Sequence, residues 1–396
     1  MTVTVCPGFQ WSGISAGIKK DGEKDLGMIL SNIPARVAAV FTKNRVKAAP
    51  VLLDIEHIVS GICQAIVVNS GNANCCTGDQ GMRDARAIAK LVAAELGVEE
   101  EWVLVASTGV IGVPLPMEKV TDGIPKAVES LSPDGFYDFS TSIMTTDQFP
   151  KTVSEIFRMD DGCEFSITVA AKGAGMICPD MATMLCFVCT DVQASSEVLA
   201  TILTQAVDYS FNRITVDGDT STNDTVIIMA NGMSNAALVR EGDRLRFQQS
   251  LNNVLLDVAK MIVRDGEGAT KLIEINVLGA RSAEDARRVA RTVADSPLVK
   301  TAFFGEDANW GRIVAAVGRS GVEVQPERVD VFLDTIQIVR NGCGCGAKAD
   351  DEAGKVIRRN EIALTIDLNT GGTGHASVFT SDLTLDYVKL NAHYRS

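Results

Sequence analysis

The stretch KGAGMICPDMATMLCFVCTD, residues 172–191, puts a threonine where a glycine-rich turn gives way to an apolar run. Thr183 could be a nucleophile, but a threonine hydroxyl is a weak one until a base takes its proton. The chain has only three histidines, His57, His375 and His393, and none sits in a recognisable nucleophile motif. If the Ala182–Thr183 bond were cut, Thr183 would carry a free α-amine beside its own hydroxyl. An α-amine titrates near 7.7–8.0, about where a base at neutral pH must lie. Equally, a threonine can open a buried strand for its β-branched fit alone.

A second candidate is STGVIG, after the apolar run of EWVLVASTGVIG. There the Gly109 amide and the Thr108 hydroxyl could converge on one point, as an oxyanion hole requires. An ordinary glycine turn would look the same. DGDTSTND, residues 217–224, suggests a calcium loop but fails as one. Its sixth position is Thr222 rather than glycine, and its twelfth is Ile228 rather than glutamate. It reads as a polar turn, either lining a pocket or bonded to itself. Neither a dinucleotide fingerprint nor a phosphate loop is present. The close cysteine pairs, Cys75/Cys76 and Cys343/Cys345, lack zinc spacing. Reduced thiols, no metal and no bound cofactor are expected.

Strand and helix patterns alternate around these motifs. QAIVVNSGNAN reads as a buried strand ending in a polar turn. A helix follows, with Asp79 as N-cap, Met82, Ala85, Ile88, Val92 and Leu96 on one face, and Gly97 past its end. TMLCFVCTD is a continuous apolar run, as for a strand covered on both faces. Helices are expected from Ser195, over Leu251 to Arg264, and from a Ser282 cap. KLIEINVLGA, VDVFLDTIQIV and NEIALTIDL read as strands, and NGCGCGAKADDEAGK as a surface loop. A domain boundary is expected near 270–280.

The 396 residues are 46% hydrophobic and 22% charged, an ordinary globular balance. A formal net charge of −13 argues against nucleic acid or an anionic membrane as partner. MTVTVCPGFQWSG lacks the basic and apolar regions of a signal peptide, so a cytoplasmic protein is expected.

Taken together, NSGNANCCTG, STGVIG, MTTD, KGAGMICPDMATML, FNRITVDGDTSTND, RDGEGATK, NWGRI and YVKLNAHYR occur in one order over nearly the whole chain. In this the chain resembles the ornithine acetyltransferases of arginine biosynthesis, the ArgJ family. The resemblance implies an α/β fold, a layered αββα sandwich like that of N-terminal-nucleophile hydrolases, with a smaller C-terminal α+β domain. It implies self-cleavage between Ala182 and Thr183 into an α chain (1–182) and a β chain (183–396). Residues 183–275 would complete the catalytic core and 276–396 would form the C-terminal domain. Thr183 would pass an acetyl group from N-acetylornithine to glutamate, releasing ornithine and N-acetylglutamate. Whether acetyl-CoA also serves as donor stays open. Two α and two β chains would assemble as a heterotetramer. By position, Thr108 and Gly109 match the oxyanion pair. Thr146 (or its neighbour Thr145), Lys172, Thr183, Glu267, Asn391 and Ser396 match substrate-binding positions. Lys172 offers a cation to a carboxylate, and Glu267 an anion to an ammonium. Ala308, His393 and Cys75 depart from the family pattern without touching these positions. Two alternatives remain: a self-cleaving aminopeptidase or amidase with water as acceptor, and a non-catalytic amino-acid binder.

Overall fold

The protein is described by a computed structural model covering residues 5–20, 22–178 and 184–393. In chain order its elements begin with β1 (Phe9–Ile14), β2 (Leu26–Phe41), α1 (Ala49–His57), β3 (Ile62–Asn72), α2 (Gly78–Leu96) and β4 (Val103–Val110). Next come α3 (Met117–Glu129), α4 (Phe136–Ser142), β5 (Lys151–Arg158), β6 (Glu164–Lys172), β7 (Leu185–Thr190), α5 (Ser196–Tyr209), β8 (Ile214–Thr215) and β9 (Thr225–Ala230). The remainder is α6 (Glu241–Arg264), β10 (Leu272–Ala280), α7 (Ala283–Ala294), α8 (Pro297–Phe304), α9 (Trp310–Gly318), β11 (Asp330–Leu333), β12 (Ile336–Arg340), β13 (Cys343–Gly344), α10 (Ala347–Val356), β14 (Glu361–Asp367), β15 (Gly374–Ser381) and α11 (Leu385–His393).

The chain divides into two compact units, each combining helices with one sheet, in keeping with the α/β class expected of the chain. The first comprises Met1–Gly173, Asp180–Asn212 and Asp219–Ala259; the second comprises Ala174–Pro179, Arg213–Gly218 and Lys260–Ser396. The division thus falls inside α6.

The sheet of the first unit runs β4-β3-β2-β9-β7-β6-β5, with β1 beside β2. Alternation along β3 and β4 feeds two apolar layers. Ala65, Val67, Val103 and Val105 pack with Leu53, Ala85, Ile88 and Val120 from α1, α2 and α3. Ile66, Val68, Leu104 and Ala106 pack with Phe139 of α4 and Phe187 of β7. β7 and β9 are buried at every residue, which is why LCFVCT reads as an unbroken apolar run. β2 breaks register against β3 between Leu30 and Ala35. Pro34, with no N–H to give a ladder, lies in that break.

The second sheet runs β13-β12-β11-β14-β10-β15-β8. Ile273, Ile275 and Val277 of β10 pack with Val289, Ala290 and Val293 of α7. Ser282 caps α7 by accepting the Asp285 N–H at 3.1 Å.

Several expectations need correcting. α2 begins at Gly78 behind Thr77, so Asp79 lies in its first turn rather than at its cap. There it faces the positive end of the helix dipole. α6 starts ten residues earlier than read. VDVFLDTIQIV is a hairpin, β11 to β12, turned at Asp334 in a left-handed conformation (φ 48°). NGCGCGAKADDEAGK holds a short strand and the helix α10, whose Ala353 and Val356 are buried. Alanine, lysine and glutamate are strong helix formers, and here they outweigh the preceding glycines.

Candidate active site

The end of β4 carries Thr108 and Gly109. β4 runs parallel to β3, with Ser70 opposite Thr108 and Gly71 opposite Gly109. A Cβ on Gly109 would lie 2.3 Å from the Gly71 carbonyl carbon and 2.5 Å from the Asn72 nitrogen, and its φ is 133°. Only glycine allows that approach. A web of amides holds this strand end in place. Ser107 donates its hydroxyl to Asn69 Oδ1 (2.6 Å), and Asn69 Nδ2 donates to the Asn72 carbonyl (2.8 Å). Asn72 Nδ2 donates to the carbonyls of Val113 (3.0 Å) and Pro114 (3.1 Å), in the loop after β4. The asparagines of NSGNAN therefore brace STGVIG, a role their sequence did not disclose.

Lys172 ends β6, opposite Leu185, the first residue of β7. Its side chain is buried, and Nζ donates to Thr108 Oγ1 at 3.1 Å. A buried ammonium is costly unless compensated, and Asp147 supplies charge nearby. Asp147 Oδ1 accepts from Lys151 Nζ (2.5 Å) and from the Gly173 N–H (2.7 Å), while Oδ2 accepts from the Thr145 N–H (2.9 Å). Burial alone would raise this carboxyl. The charges of Lys172 and Lys151, with the hydrogen bonds from Lys151 and Thr145, override it and hold Asp147 at about 2. Asp147 is thus a counter-charge that two buried lysines share. Thr146, adjacent to Asp147, is half-buried.

DGDTSTND is a bonded loop within this framework rather than an open cation cradle. Thr222 donates to Asn223 Oδ1 (2.6 Å), and Asn223 Nδ2 donates to the carbonyls of Ala73 (2.7 Å) and Ser107 (2.8 Å). Asp224 precedes β9, which runs parallel to β7, and its Oδ1 accepts the Met184 N–H at 2.9 Å. Ala182 and Thr183 lie outside the described residues, as does Ser396.

In the second unit, Glu267 and Asn391 come together although 124 residues apart: Asn391 Nδ2 donates to Glu267 Oε2 at 2.8 Å. Glu267 is buried, and its N–H donates to the Ala174 carbonyl (2.9 Å). A Cβ on Gly175 would stand 2.5 Å from the Glu267 carboxylate, so that glycine makes room for it. Gly268 (φ 68°) lies against the start of α11, where a Cβ would be 2.6 Å from the Tyr387 nitrogen. Asp217 accepts the N–H groups of Met176 (2.6 Å) and Ile177 (2.8 Å), together with the Tyr387 hydroxyl (3.3 Å).

Of the histidines, His57 has Nδ1 on the Val103 carbonyl (2.8 Å), while His375 and His393 are exposed in the second unit. Among the described residues no disulfide joins two cysteines. Among the described residues no cluster has the makings of a metal site, and no helix is long and apolar enough to cross a membrane. An open groove of about 710 Å³ in the first unit, bordered by Arg36, Gly61, Ser195 and Glu197, holds none of the residues above.

Of the residues singled out in the sequence, Lys172 meets Thr108, beside Gly109, and Asn391 meets Glu267. Asp147, Lys151, Asn223 and Asp224, which bond around the first group, were not singled out, although MTTD and DGDTSTND contain three of them. A strand-end hydroxyl and a constrained glycine amide, backed by a buried ammonium, can stabilise an oxyanion, and so define an acyl-transfer class of site.

Residues 10–396 match the ArgJ family. The chain is 54% identical over 391 residues to the arginine biosynthesis bifunctional protein ArgJ of Geobacter sulfurreducens, covering 98% of this chain and 99% of that one. It is 51% identical, with the same coverage, to the ArgJ bifunctional protein of Syntrophotalea carbinolica. The crystal structure of the arginine biosynthesis bifunctional protein ArgJ from Bacillus halodurans is 41% identical, with a TM-score of 0.50, covering 52% of this chain and 97% of that chain. The chain belongs to the ArgJ family.

Proposed function

We propose that this ArgJ-family enzyme acts in arginine biosynthesis, moving the acetyl group of N2-acetyl-L-ornithine to L-glutamate through an acetyl-Thr183 intermediate. Cleavage between Ala182 and Thr183 first frees the α-amine that serves as base. Thr183 Oγ attacks the acetyl carbonyl, and the Thr108 hydroxyl and Gly109 N–H receive the developing oxyanion. Ornithine leaves before glutamate enters. Lys172 holds the α-carboxylate common to both substrates. Glu267, with Asn391, takes the ornithine ammonium, and Thr146 and Ser396 complete the substrate contacts. Acetyl-CoA serves as a second donor, as a substrate rather than a resident cofactor. The halves remain together in a cytoplasmic heterotetramer of two α and two β chains.

The observation that carries this reading is the buried Lys172 ammonium on Thr108 Oγ1, on the strand paired with the one that follows Thr183. The Bacillus halodurans chain adds support. It is matched almost whole by about half of this one, as one product of such a cleavage would be. The test is kinetic. Enzyme mixed with N-acetylornithine alone should release one ornithine per active site, and double-reciprocal plots at several glutamate concentrations should be parallel. Intersecting plots without that burst would replace the covalent route with direct transfer. Steady acetate release without glutamate would make the enzyme an amidase.

A further inference from the structure

The motif NCCTG places two thiols in the turn between β3 and α2, and the proposed reaction uses neither. Neighbouring side chains of an extended segment point to opposite faces. Here Cys76 takes the left-handed conformation (φ 57°), uncommon for a residue with a Cβ, and the two Sγ atoms meet at 3.7 Å. Cys75 is buried, packed with Ala48, Val51 and Ala73, whereas Cys76 is exposed. The same segment braces the candidate active site. The Cys75 carbonyl accepts the Gly112 N–H at 2.9 Å, at the end of STGVIG, and the Ala73 N–H donates to the Val110 carbonyl at 3.0 Å. Just upstream, Asn74 is pinned. Its N–H donates to Asn72 Oδ1 (2.8 Å), its Nδ2 donates to the Gly81 carbonyl (2.9 Å), and its Oδ1 accepts the Thr77 hydroxyl (2.9 Å).

We propose that Cys75 and Cys76 form a reversible thiol–disulfide site, whose closure draws the Cys75 carbonyl off the Gly112 N–H and so slows acetyl transfer. The ring rests on the geometry of the thiols alone, while its effect on turnover rests on the proposed oxyanion role of Thr108 and Gly109. The oxidant is a small-molecule disulfide. The Cys76 thiolate attacks one of its sulfurs, breaks that S–S bond and expels one thiolate. Cys75, already in contact, then attacks the Cys76 sulfur and expels the other half of the oxidant. The two cysteine protons end on the two small thiols, so the cysteines are oxidised as the small disulfide is reduced. Burial pushes the Cys75 thiol up, so exposed Cys76 attacks first and Cys75 resolves. Bonding must bring the sulfurs from 3.7 Å to about 2 Å. Adjacent Cα atoms lie about 3.8 Å apart across a trans peptide, below the roughly 4.4–6.8 Å that a relaxed disulfide spans. The small ring is therefore strained, and strained disulfides are the readily reduced, regulatory ones. With Asn74 pinned, the Cys75–Cys76 peptide plane turns to close the ring, and the Cys75 carbonyl lies in that plane. Gly112 then loses its acceptor, and the turn that carries Gly109 loses a brace.

The experiment exposes the full-length enzyme to dithiodipyridine, blocks the remaining thiols with N-ethylmaleimide under denaturing conditions, and maps the tryptic peptides by mass. Residues 48–83 form one such peptide, which holds Cys63, Cys75 and Cys76. Wild type should yield it two hydrogens lighter, with a maleimide on Cys63 only and no pyridyl group. Cys75→Ala should keep the pyridyl group on Cys76, because no neighbouring thiol resolves it. In oxidised wild type, amide hydrogen exchange over residues 107–112 should quicken. Acetyl transfer should fall roughly 10–10²-fold, as small displacements around an active site cause. Dithiothreitol should reverse both changes. Cys76→Ser should match reduced wild type and stay active after the same treatment. A pyridyl group left on Cys76 of wild type, or a Cys76 carrying only maleimide, would overturn the site. A closed ring that leaves exchange or turnover unchanged would overturn the link to Gly112. If Cys75→Ala fails to fold, the wild-type peptide decides alone. Reduced wild type that moves no acetyl group from N-acetylornithine removes the proposed reaction instead, and the peptide and exchange results are read independently of it.

Discussion

Asp147 and Asp224 are both buried in the first unit, and both accept a backbone N–H. Their carboxyls nevertheless move in opposite directions. Asp147 sits between Lys151 and Lys172 and stays ionised down to about 2. At Asp224 burial outweighs the Met184 N–H and the Lys172 charge, so the carboxyl is raised, and among the described residues Oδ2 is unsatisfied. Depth is the same at both sites, so pairing decides. A carboxylate between two ammonium groups is held ionised, whereas one whose burial outweighs the charge near it keeps its proton.

That contrast can be broken in order of expected effect. Asp147→Ala leaves Lys151 and Lys172 buried without their common counter-charge. Urea unfolding should show a loss on the order of 3–5 kcal/mol, the usual result of removing one member of a buried pair. A change within 0.5 kcal/mol, roughly that of an ordinary surface site, would mean that water already reaches the lysines. Thr108→Ala removes the proposed oxyanion donor and the acceptor of the Lys172 proton. Acetyl transfer should fall on the order of 10²–10³-fold with KM nearly unchanged. An effect confined to KM would make Thr108 a substrate contact only.

The pH dependence of stability separates the two acids by sign, measured on uncut Thr183→Ala protein. Asp147 has a depressed folded pKa. Its contribution is present above the ordinary carboxyl value of 3.8 and is lost as pH falls toward about 2. Asp224 has a raised one, so stability should instead decline as pH rises above 3.8, where the unfolded chain releases a proton that the folded chain keeps. Asp147→Asn should flatten the acid limb, and Asp224→Asn should flatten the decline above it. The smallest effect is that of Asp224→Asn at neutral pH in this uncut background. Removing an unpaired buried acid should leave stability equal or raise it by about 1 kcal/mol. A loss resembling that of Asp147→Ala would show that the two carboxyls do the same work.

The contrast also marks what the sequence could disclose. Thr108 and Gly109 were legible because a glycine turn at a strand end can present an amide and a hydroxyl together, whereas Lys172 followed from the family resemblance alone. The different fates of Asp147 and Asp224 were not legible. They depend on the order β4-β3-β2-β9-β7-β6-β5, which seats β7 between β6 and β9, and no local periodicity encodes that order. β3, β4, β6, β7, β9, α2, α5 and α7 announced themselves by alternation, continuous apolar runs and caps. The β11–β12 hairpin was hidden because Asp334 turns the chain inside a mainly apolar run with no glycine to signal it. α10 was hidden because the glycines and cysteines before it outweighed its alanines in the reading.

The central claim is that Thr183 becomes an N-terminal residue and carries the acetyl group. Intact-mass spectrometry of denatured protein, before and after mixing with N-acetylornithine, tests it most directly. The account predicts fragments of residues 1–182 and 183–396, with one acetyl group added to the second fragment only, and a single uncut chain for Thr183→Ala. Wild type that remains one chain of 396 residues, or an acetyl group found on the first fragment, would contradict it.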